Sequence, residues 1–480
     1  MRDAQCDRNI SYLSLSATSA SKQYFSRYEW VVRGFLSNLS QLTLLKKVSF
    51  PKNDRGFWQV LRGHGVERIF FVLNLTTKKN ICVIGLGYIG LPTASLLANR
   101  GYSIAGVDTN SHVVDTINCG KIHIFEPGLD TFVRAAVESG NLKAFMSPQK
   151  SDIYIICVPT PFIENAASTP QPDLSYVIAA ATSIRPLIKP GDMVILESTS
   201  PVGTTEMISK IFADFGIDIS KISIAYCPER VLPGKVMLEL VQNDRIIGGL
   251  NEHSTRCVQA FYETFVQGEL ILTDAKMAEM TKLVENSYRD VNIAFANELS
   301  MICKGLDIDV WRLIEVANHH PRVDILRPGS GVGGHCIAVD PWFIVSGNPT
   351  GSRLIRTARE VNDSKPEWIV DSILNAVNHF SHDQDRKPIV GIFGLAFKQD
   401  IDDLRNSPAI AICHKLQHHR IDMLVCEPNV EIYEDFQIKP LDEVLASSDI
   451  LVFLVAHSPF KKISVTAGVT VLDYCGLGIK

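Results

Sequence analysis

One segment constrains the fold of this chain more than any other. The apolar run Ile81–Ile84 is typical of a strand that is buried on both faces of a sheet. Gly85, Gly87 and Gly90 follow it with G-x-G-x-x-G spacing, and an apolar helix pattern comes next. A second apolar run then ends at Asp108, 18 residues after Gly90. This order of strand, glycine turn, helix, strand and acid predicts a Rossmann fold that binds a dinucleotide.

The same segment predicts which dinucleotide is bound. Glycines permit the tight turn, and the N-terminus of the following helix then faces the pyrophosphate. The carboxylate of Asp108 would accept hydrogen bonds from the ribose hydroxyls and would repel a 2′-phosphate. The sequence therefore favours NAD over NADP.

Polar residues follow three further apolar runs in the same half of the chain. The first run ends near Thr160, the second near Thr199, and the third at Glu229 and Arg230. In open α/β sheets ligands bind beyond the carboxyl ends of the strands, so these residues are candidates for a binding site. Thr160 and Thr199 can also cap the helices that follow them, and such a structural role is compatible with a binding role.

One long helix is predicted from Ala275 to Gly305. Apolar residues recur there at steps of three and four and predict a single apolar face: Met277, Met280, Leu283, Val284, Tyr288 and Val291. Lys282, Asn286 and Arg289 share a neighbouring face. Taken alone, this polar trio is more typical of a solvated surface than of a site.

After Lys387 strands and helices alternate again, without a glycine fingerprint. Lys398 and Arg405 flank three aspartates after the first of these strands, and two cations at such a place suit a diphosphate. A charged surface loop is the alternative.

The predicted fold class is α/β, with two doubly wound Rossmann-like domains joined by a long central helix. The predicted divisions are an extension over 1–75, an NAD-binding domain over 76–272, a central helical domain over 273–386 and a second Rossmann-like domain over 387–480.

Charge and cysteine content narrow the class of protein. Residues 1–75 carry 11 basic and 5 acidic side chains, a net of +6, while the remainder carries 36 basic and 47 acidic, a net of −11. The composition change and the lack of periodicity predict that residues 1–75 lie outside the working enzyme. The net charge of −5 gives no indication of nucleic-acid binding, and no apolar run predicts a membrane span. Scattered cysteines without a C-x-x-C pair predict neither disulfides nor a metal site, and favour the cytoplasm.

Six motifs in order make the chain similar to the UDP-glucose/GDP-mannose dehydrogenase family. They are "GLGYIGLPTA", "ESTSPVGTTE", "CPERVLPG", "AEMTKLVENSYRDVNIAFANELS", "GVGGHCIAVDPWF" and "FGLAFKQDIDDLRNSP". The resemblance extends from about Thr76 to Cys475. The forms "CPERV" and "GGHC" are similar to the branch of the family that acts on N-acetylated sugars.

The resemblance implies a four-electron oxidation. A primary alcohol at C6 of a UDP-sugar becomes a carboxylate, two NAD are reduced and one water is consumed. Cys336 matches the family nucleophile, which holds the aldehyde as a thiohemiacetal and then as a thioester. Lys282 matches the catalytic lysine, Asp340 an aspartate that assists base chemistry, and Glu229 a glutamate linked to thioester hydrolysis.

The resemblance also implies binding residues. The implied cofactor contacts add Tyr88, Ile89, Thr160 and Thr199 to Asp108 and the three glycines of the fingerprint. The implied substrate contacts are Arg230, Val231, Lys282, Asn286, Arg289, His320, Gly333, Phe397, Lys398 and Arg405. Arg322 matches an arginine that reaches into the site of a neighbouring subunit in dimers or larger homo-oligomers.

The implied substrate is UDP-N-acetyl-D-mannosamine, oxidised to the uronate as a precursor of surface polysaccharide. Two alternatives stay open at this point. The first is UDP-N-acetyl-D-glucosamine, which differs only in its configuration at C2. The second is a non-catalytic nucleotide-binding protein on the same scaffold, which the loss of Cys336 or Lys282 would have favoured.

Overall fold

A computed structural model describes residues 79–163, 169–334, 336–465 and 468–479. The predicted extension over residues 1–75 lies outside these ranges. Within them the chain alternates strands and helices around two separate, mainly parallel sheets. The α/β fold class, with two Rossmann-like domains and a long helix between them, is confirmed. The domain limits at residues 75, 272 and 386 stay predictions.

The first sheet has eight strands in the order β10-β9-β8-β7-β4-β1-β2-β3. All its neighbours are parallel except β8 and β9. Its strands are β1 (Asn80–Ile84), β2 (Ser103–Val107), β3 (Leu142–Phe145), β4 (Ile153–Ile156), β7 (Met193–Leu196), β8 (Ser223–Tyr226), β9 (Arg245–Gly249) and β10 (Leu270–Asp274). The strand order reverses between β1 and β4, where a doubly wound sheet opens a crevice for its ligand.

Helices cover both faces of this sheet. They are α1 (Gly90–Asn99), α2 (Ser111–Asn118), α3 (Leu129–Glu138), α4 (Ser175–Ile184), α5 (Thr204–Asp214), α6 (Val236–Gln242) and α7 (Glu252–Tyr262). Ile81 and Val83 pack into one apolar cluster and Cys82 and Ile84 into another, so β1 is buried on both sides. A short antiparallel pair, β5 (Phe162–Ile163) with β6 (Gln171–Pro172), lies after β4.

Two long helices link the sheets. The first, α8 (Ala275–Gly305), has the predicted bounds, and the side chain of Asp274 caps it by accepting from the N–H of Met277. The second, α11 (Arg353–Gln384), continues through Pro366. Two shorter helices, α9 (Val310–Ala317) and α10 (Asp340–Gly347), lie between them in the chain.

The predicted apolar face of α8 is divided between the interior and the surface. Leu283 is buried, whereas Met277, Met280, Val284 and Tyr288 are exposed. The exposed row continues towards the C-terminus of the helix through Phe295 and Ile302. The sequence identified the apolar positions correctly, but only the inner ones are covered by the described residues of this chain.

The second sheet has four parallel strands in the order β12-β11-β13-β14. Its strands are β11 (Val390–Phe393), β12 (Met423–Cys426), β13 (Ile450–Phe453) and β14 (Thr470–Asp473), and its helices are α12 (Pro408–His418) and α13 (Leu441–Ser447). Apolar residues of α11 pack on one face of this sheet, beside Val390 and Ile392. None of the described helices combines the length and hydropathy that crossing a membrane requires.

Candidate active site

The glycine turn after β1 lies at the point where the first sheet reverses its order. Gly85 has a φ of +90°, and a Cβ there would lie 2.6 Å from the carbonyl oxygen of Cys157 at the end of β4. A Cβ on Gly90 would lie 1.8 Å from the carbonyl oxygen of Gly85. A Cβ on Gly87 would meet nothing within 4 Å, so open space adjoins the turn where a pyrophosphate has to fit. These residues therefore fit a bound dinucleotide.

Asp108 lies at the carboxyl end of β2, beside the glycine turn. Its carboxylate accepts hydrogen bonds from the N–H groups of Leu86 at 3.1 Å and Asn110 at 2.9 Å. The acid is therefore held at the edge of the crevice. Across the crevice, the hydroxyl of Thr160 donates to the carbonyl of Thr199 at 2.7 Å and joins two of the predicted cofactor contacts.

Three predicted site residues meet where α8 faces the start of α10. Asn286 donates from Nδ2 to Oδ2 of Asp340 at 2.5 Å. Asp340 is only 2% exposed, and Lys282 on the same face of α8 is 8% exposed. Burial raises the pKa of Asp340 to about 6, while Lys282 and Asn286 act in the opposite direction. The polar trio of α8 thus contributes two members, Lys282 and Asn286, to a buried site instead of a solvated face.

Cys336 lies one turn before Asp340. Its carbonyl accepts from the N–H of Asp340 at 2.8 Å, so the backbone holds the thiol and the carboxylate close together. The side chain is exposed to solvent, yet the surrounding protein still reduces its solvation. This desolvation raises the pKa of the Cys336 thiol; Asp340 raises it further, and Lys282 lowers it. The free site therefore holds a thiol, whose proton has to leave before the sulfur can attack.

Glu229 lies beyond the end of β8 and faces the same cluster. Its Oε2 accepts from the N–H of Val231 at 2.7 Å. Burial raises the pKa of Glu229, and the cations Arg245 and Lys282 counteract that effect. The four predicted catalytic residues thus interact electrostatically within one site, although they come from three different parts of the sequence.

A buried polar cluster behind Glu229 was not predicted from the sequence. Arg245 opens β9, and its Nη1 lies 4.0 Å from Oε1 of Glu197. Tyr262 donates to the same carboxylate at 2.6 Å, and the guanidinium of Arg245 lies 5.6 Å from the centroid of the Tyr262 ring. An arginine that opens the apolar run "DRIIGG" is the signal that would have indicated this cluster.

The loop after β11 closes the other side of the crevice. Arg405 binds both carboxylate oxygens of Asp403, from Nε at 2.8 Å and from Nη2 at 2.6 Å. Phe397 packs against the glycine-rich loop before Cys336, since a Cβ on Gly333 would lie 2.7 Å from Cβ of Phe397. This contact brings two predicted substrate residues together.

Other residues that were predicted to contact the substrate are either hydrogen-bonded within the chain or exposed. Arg230 donates to Oε1 of Glu285 at 2.7 Å and to the carbonyl of Asp244, so its guanidinium is engaged within the chain. Lys398 and Arg289 are exposed. His320 and Arg322 are exposed as well, and Nδ1 of His320 accepts from the N–H of Arg322 at 3.3 Å.

Three family models match consecutive parts of the chain. They describe the NAD-binding domain, the central domain and the UDP-binding domain of the UDP-glucose/GDP-mannose dehydrogenase family, over residues 79–266, 276–364 and 391–475. The UDP-binding match contains Lys398 and Arg405, and the NAD-binding match contains the glycine turn.

Individual proteins are similar over the same span. The chain is 52% identical to an NDP-N-acetyl-D-galactosaminuronic acid dehydrogenase of Ralstonia nicotianae over 399 residues, which covers 80% of this chain and 92% of the relative. It is also 52% identical to the UDP-N-acetyl-D-mannosamine dehydrogenase of Escherichia coli, and the match covers 80% of this chain and 95% of the relative. Among solved structures, the UDP-N-acetyl-mannosamine dehydrogenase of S. aureus is 40% identical, with a TM-score of 0.74 and coverage of 83% and 99%.

Proposed function

The chain belongs to the UDP-glucose/GDP-mannose dehydrogenase family, and from that membership we propose that it oxidises the C6 alcohol of UDP-N-acetyl-D-mannosamine to the carboxylate. It is an NAD-dependent nucleotide-sugar dehydrogenase, and its UDP-binding domain indicates a UDP-sugar as the substrate. The chosen sugar, the covalent route and the supply of a surface polysaccharide precursor are the parts that we propose.

One observation carries the covalent route. An accessible cysteine, Cys336, lies beside a buried carboxylate, Asp340, which a buried lysine, Lys282, also faces. A dehydrogenase that stopped at the aldehyde would need no nucleophile at this place. A thiol can hold the aldehyde as a thiohemiacetal, which prevents its release between the two oxidations.

The first half of the reaction uses Lys282 and Asp340. Bound NAD supplies the hydride acceptor for both oxidations. The C6 hydroxyl gives its proton to the carboxylate of Asp340, which passes it to solvent before the next step. Lys282 stabilises the C6 alkoxide and later the oxyanion of the thiohemiacetal. Asp340 accepts the proton of Cys336 as the sulfur bonds to the aldehyde carbon, since a carboxylate with a pKa of about 6 is ionised at neutral pH.

The second half releases the product from Cys336. Loss of a second hydride from the thiohemiacetal carbon leaves a thioester on the sulfur. One water then attacks the thioester carbonyl, the carbon–sulfur bond breaks, and the uronate and the free thiol form. Glu229 is the carboxylate that we assign to orient this water, because it is buried, ionisable and close to Lys282 and Cys336.

A second substrate is supported by a specific observation. The relative from Ralstonia, which is named for an N-acetyl-D-galactosaminuronic acid, is as similar to this chain as the relative named for N-acetyl-D-mannosamine. UDP-N-acetyl-D-galactosamine, which differs from the mannosamine sugar at both C2 and C4, is therefore the second candidate. UDP-N-acetyl-D-glucosamine, the C2 epimer of the mannosamine sugar, completes the set to be compared.

The experiment is a comparison of kcat/KM for the three UDP-N-acetylhexosamines with saturating NAD. UDP-glucose serves as the control that lacks the acetamide group. We expect the mannosamine sugar to give the highest kcat/KM and to yield two NADH for each sugar consumed. A higher value with the galactosamine or glucosamine sugar would replace the proposed substrate and leave the reaction type unchanged.

We also propose that the protein is a homodimer or larger homo-oligomer that associates through α8. The outward row on this helix is largely apolar and includes Tyr288 at 69% and Phe295 at 55% exposure. Such a row is costly to leave in water and is typical of a protein–protein interface. Arg322 is exposed and would then be available to the site of a second copy.

A further inference from the structure

A second cavity lies away from the active site. Its volume is about 190 Å³, and none of the residues assigned above to catalysis or binding lines it. Residues of α8, α9, α11 and β14 form its walls. Two indole rings, Trp311 and Trp368, are among them, together with the phenol of Tyr474.

A buried lysine on α11 also lines this cavity. Lys365 is 2% exposed, and its Nζ donates to Oγ of Ser300 at 2.6 Å. The hydroxyl of Ser300 in turn donates to the carbonyl of Asn297 at 2.6 Å, which fixes its oxygen as an acceptor for Lys365. The ammonium has three donors, and Ser300 is its one hydrogen-bond acceptor within the described ranges.

Two acids, Asp309 and Asp473, line the same cavity, but neither forms an ion pair with Lys365 among the described residues. Asp309 accepts from the N–H groups of Trp311 and Arg312 at the start of α9, and Asp473 accepts from Cys475, Gly476 and Gly478. Burial alone lowers the pKa of Lys365 to about 7. A second lysine of the lining, Lys304, is exposed, so two lysines and the two aspartates are the charged residues of the described lining.

The ring of Trp368 completes the environment of the ammonium, with Nζ of Lys365 4.0 Å from the ring centroid. Flat aromatic walls next to an unneutralised cation favour a ligand that has both a ring and a negative charge. The size limits the ring, because an apolar cavity of about 150 Å³ in another protein accepts benzene. A single six-membered ring with one small substituent is of matching size.

We propose that this cavity binds a small ring carboxylate, with the carboxylate on Lys365 and the ring against Trp368 and Trp311. Two chemical classes of ligand carry such a ring and a carboxylate. The ligand is either an aromatic acid or a sugar acid, and the uronate group formed by a nucleotide-sugar 6-dehydrogenase belongs to the second class. In that second case the ligand would be a free sugar acid, because the UDP-linked product of the proposed reaction is larger than this cavity.

The test is calorimetric titration of the full chain with benzoate and, separately, with glucuronate. Saturating UDP is present throughout, so that the active site does not contribute. Benzyl alcohol and glucose are the matched neutral probes. Lys365→Met removes the charge and keeps the length of the side chain, and Lys304→Met tests the exposed cation.

We expect saturable binding of at least one acid in the millimolar range or tighter. Lys365→Met should weaken it by about tenfold or more, because a charge-assisted hydrogen bond is lost. Binding of benzoate alone would identify an aromatic acid, and binding of glucuronate alone a sugar acid. Absence of saturable heat with both acids, equal binding of a neutral probe, or unchanged binding in Lys365→Met would overturn the proposal. If Lys365→Met does not fold, the preference of the wild-type protein for acid over neutral probe decides the question.

Discussion

The guanidinium of Arg405 stacks over the ring of Tyr88, with its central carbon 4.7 Å from the ring centroid. Tyr88 belongs to the glycine turn after β1 of the first sheet, and Arg405 follows β11 of the second. The two segments that match the NAD-binding and UDP-binding domains of the family therefore touch at the crevice. Cofactor and sugar nucleotide can then approach each other beside Cys336.

Replacing Arg405 by lysine should weaken the binding of the UDP-sugar. Lysine keeps the charge but loses the two-pronged contact with Asp403 and the flat stacking on Tyr88. We expect the KM for the UDP-sugar to rise about tenfold or more, as follows from losing a charge-assisted hydrogen bond. Initial rates at varied UDP-sugar measure the effect.

Arg386 provides a matched control for this variant. It forms a similar two-pronged contact with Asp449 and lies over the ring of Phe380, outside the crevice. Arg386→Lys should leave the KM unchanged. An equal rise in KM in both variants would show that the effect of Arg405→Lys is a general loss of stability.

Asp108 should enforce the preference for NAD. Its carboxylate is fixed at the end of β2 by the N–H groups of Leu86 and Asn110, where a 2′-phosphate would meet a like charge. We expect Asp108→Asn to narrow the ratio of kcat/KM for NAD over NADP. Asp115→Asn, an exposed change on α2, should leave the ratio unchanged. Equal use of NAD and NADP by the wild-type protein would contradict this role.

Asp340 should produce an acidic limb in the pH profile. Burial raises its pKa to about 6, so the carboxylate becomes protonated below that pH and can no longer accept the proton of Cys336. We expect kcat/KM to fall as the pH decreases through about 6. Asp340→Asn should lose this limb and reduce kcat by about 10² to 10⁴, the range for removing a general base.

Asp290 is the control for the assignment of that limb. Burial raises its pKa to about 6 as well, but it pairs with Arg359 instead of facing Cys336. Asp290→Asn should retain the acidic limb, provided that the variant is folded at the assay temperature. A limb that vanishes in Asp290→Asn and persists in Asp340→Asn would assign the pH dependence to Asp290 and remove Asp340 from that role.

A charge on the outward face of α8 should dissociate the proposed oligomer. Phe295→Glu places a carboxylate within the exposed apolar row, and desolvating it in an interface is unfavourable. We expect light scattering to give the mass of a single chain, with a loss of activity if Arg322 serves a neighbouring site. Ile432→Glu changes a residue that is 84% exposed elsewhere and should preserve the mass.

The sequence was most informative where one local pattern determines the structure. The glycine turn and the bounds of α8 were predicted correctly, because steric demands and helical periodicity act over neighbouring residues. The helix α11 was not predicted from the sequence. It continues through Pro366, and a proline normally ends a helix. The periodicity of α8 identified its apolar positions but not what covers each of them.

The roles of the site residues came from a family resemblance, and they stay predictions. Lys282 and Asn286 alone indicated a solvated face, and only the folded chain places Asn286 on Asp340. Arg245 and Glu197 were missed because they are 48 residues apart and each looks ordinary in its own segment. The engagement of Arg230 by Glu285 was missed for the same reason, since such contacts depend on how distant strands and helices pack.

The most direct test of the covalent route is to measure uronate formation by Cys336→Ala, with NADH counted in the same reaction. Wild-type protein should form two NADH for each uronate. The variant should bind NAD normally, as followed by calorimetry, and form no uronate, because no sulfur is present to hold the aldehyde. Uronate formation by Cys336→Ala at the wild-type rate, with two NADH for each product, would contradict the role of Cys336 and leave it an ordinary thiol.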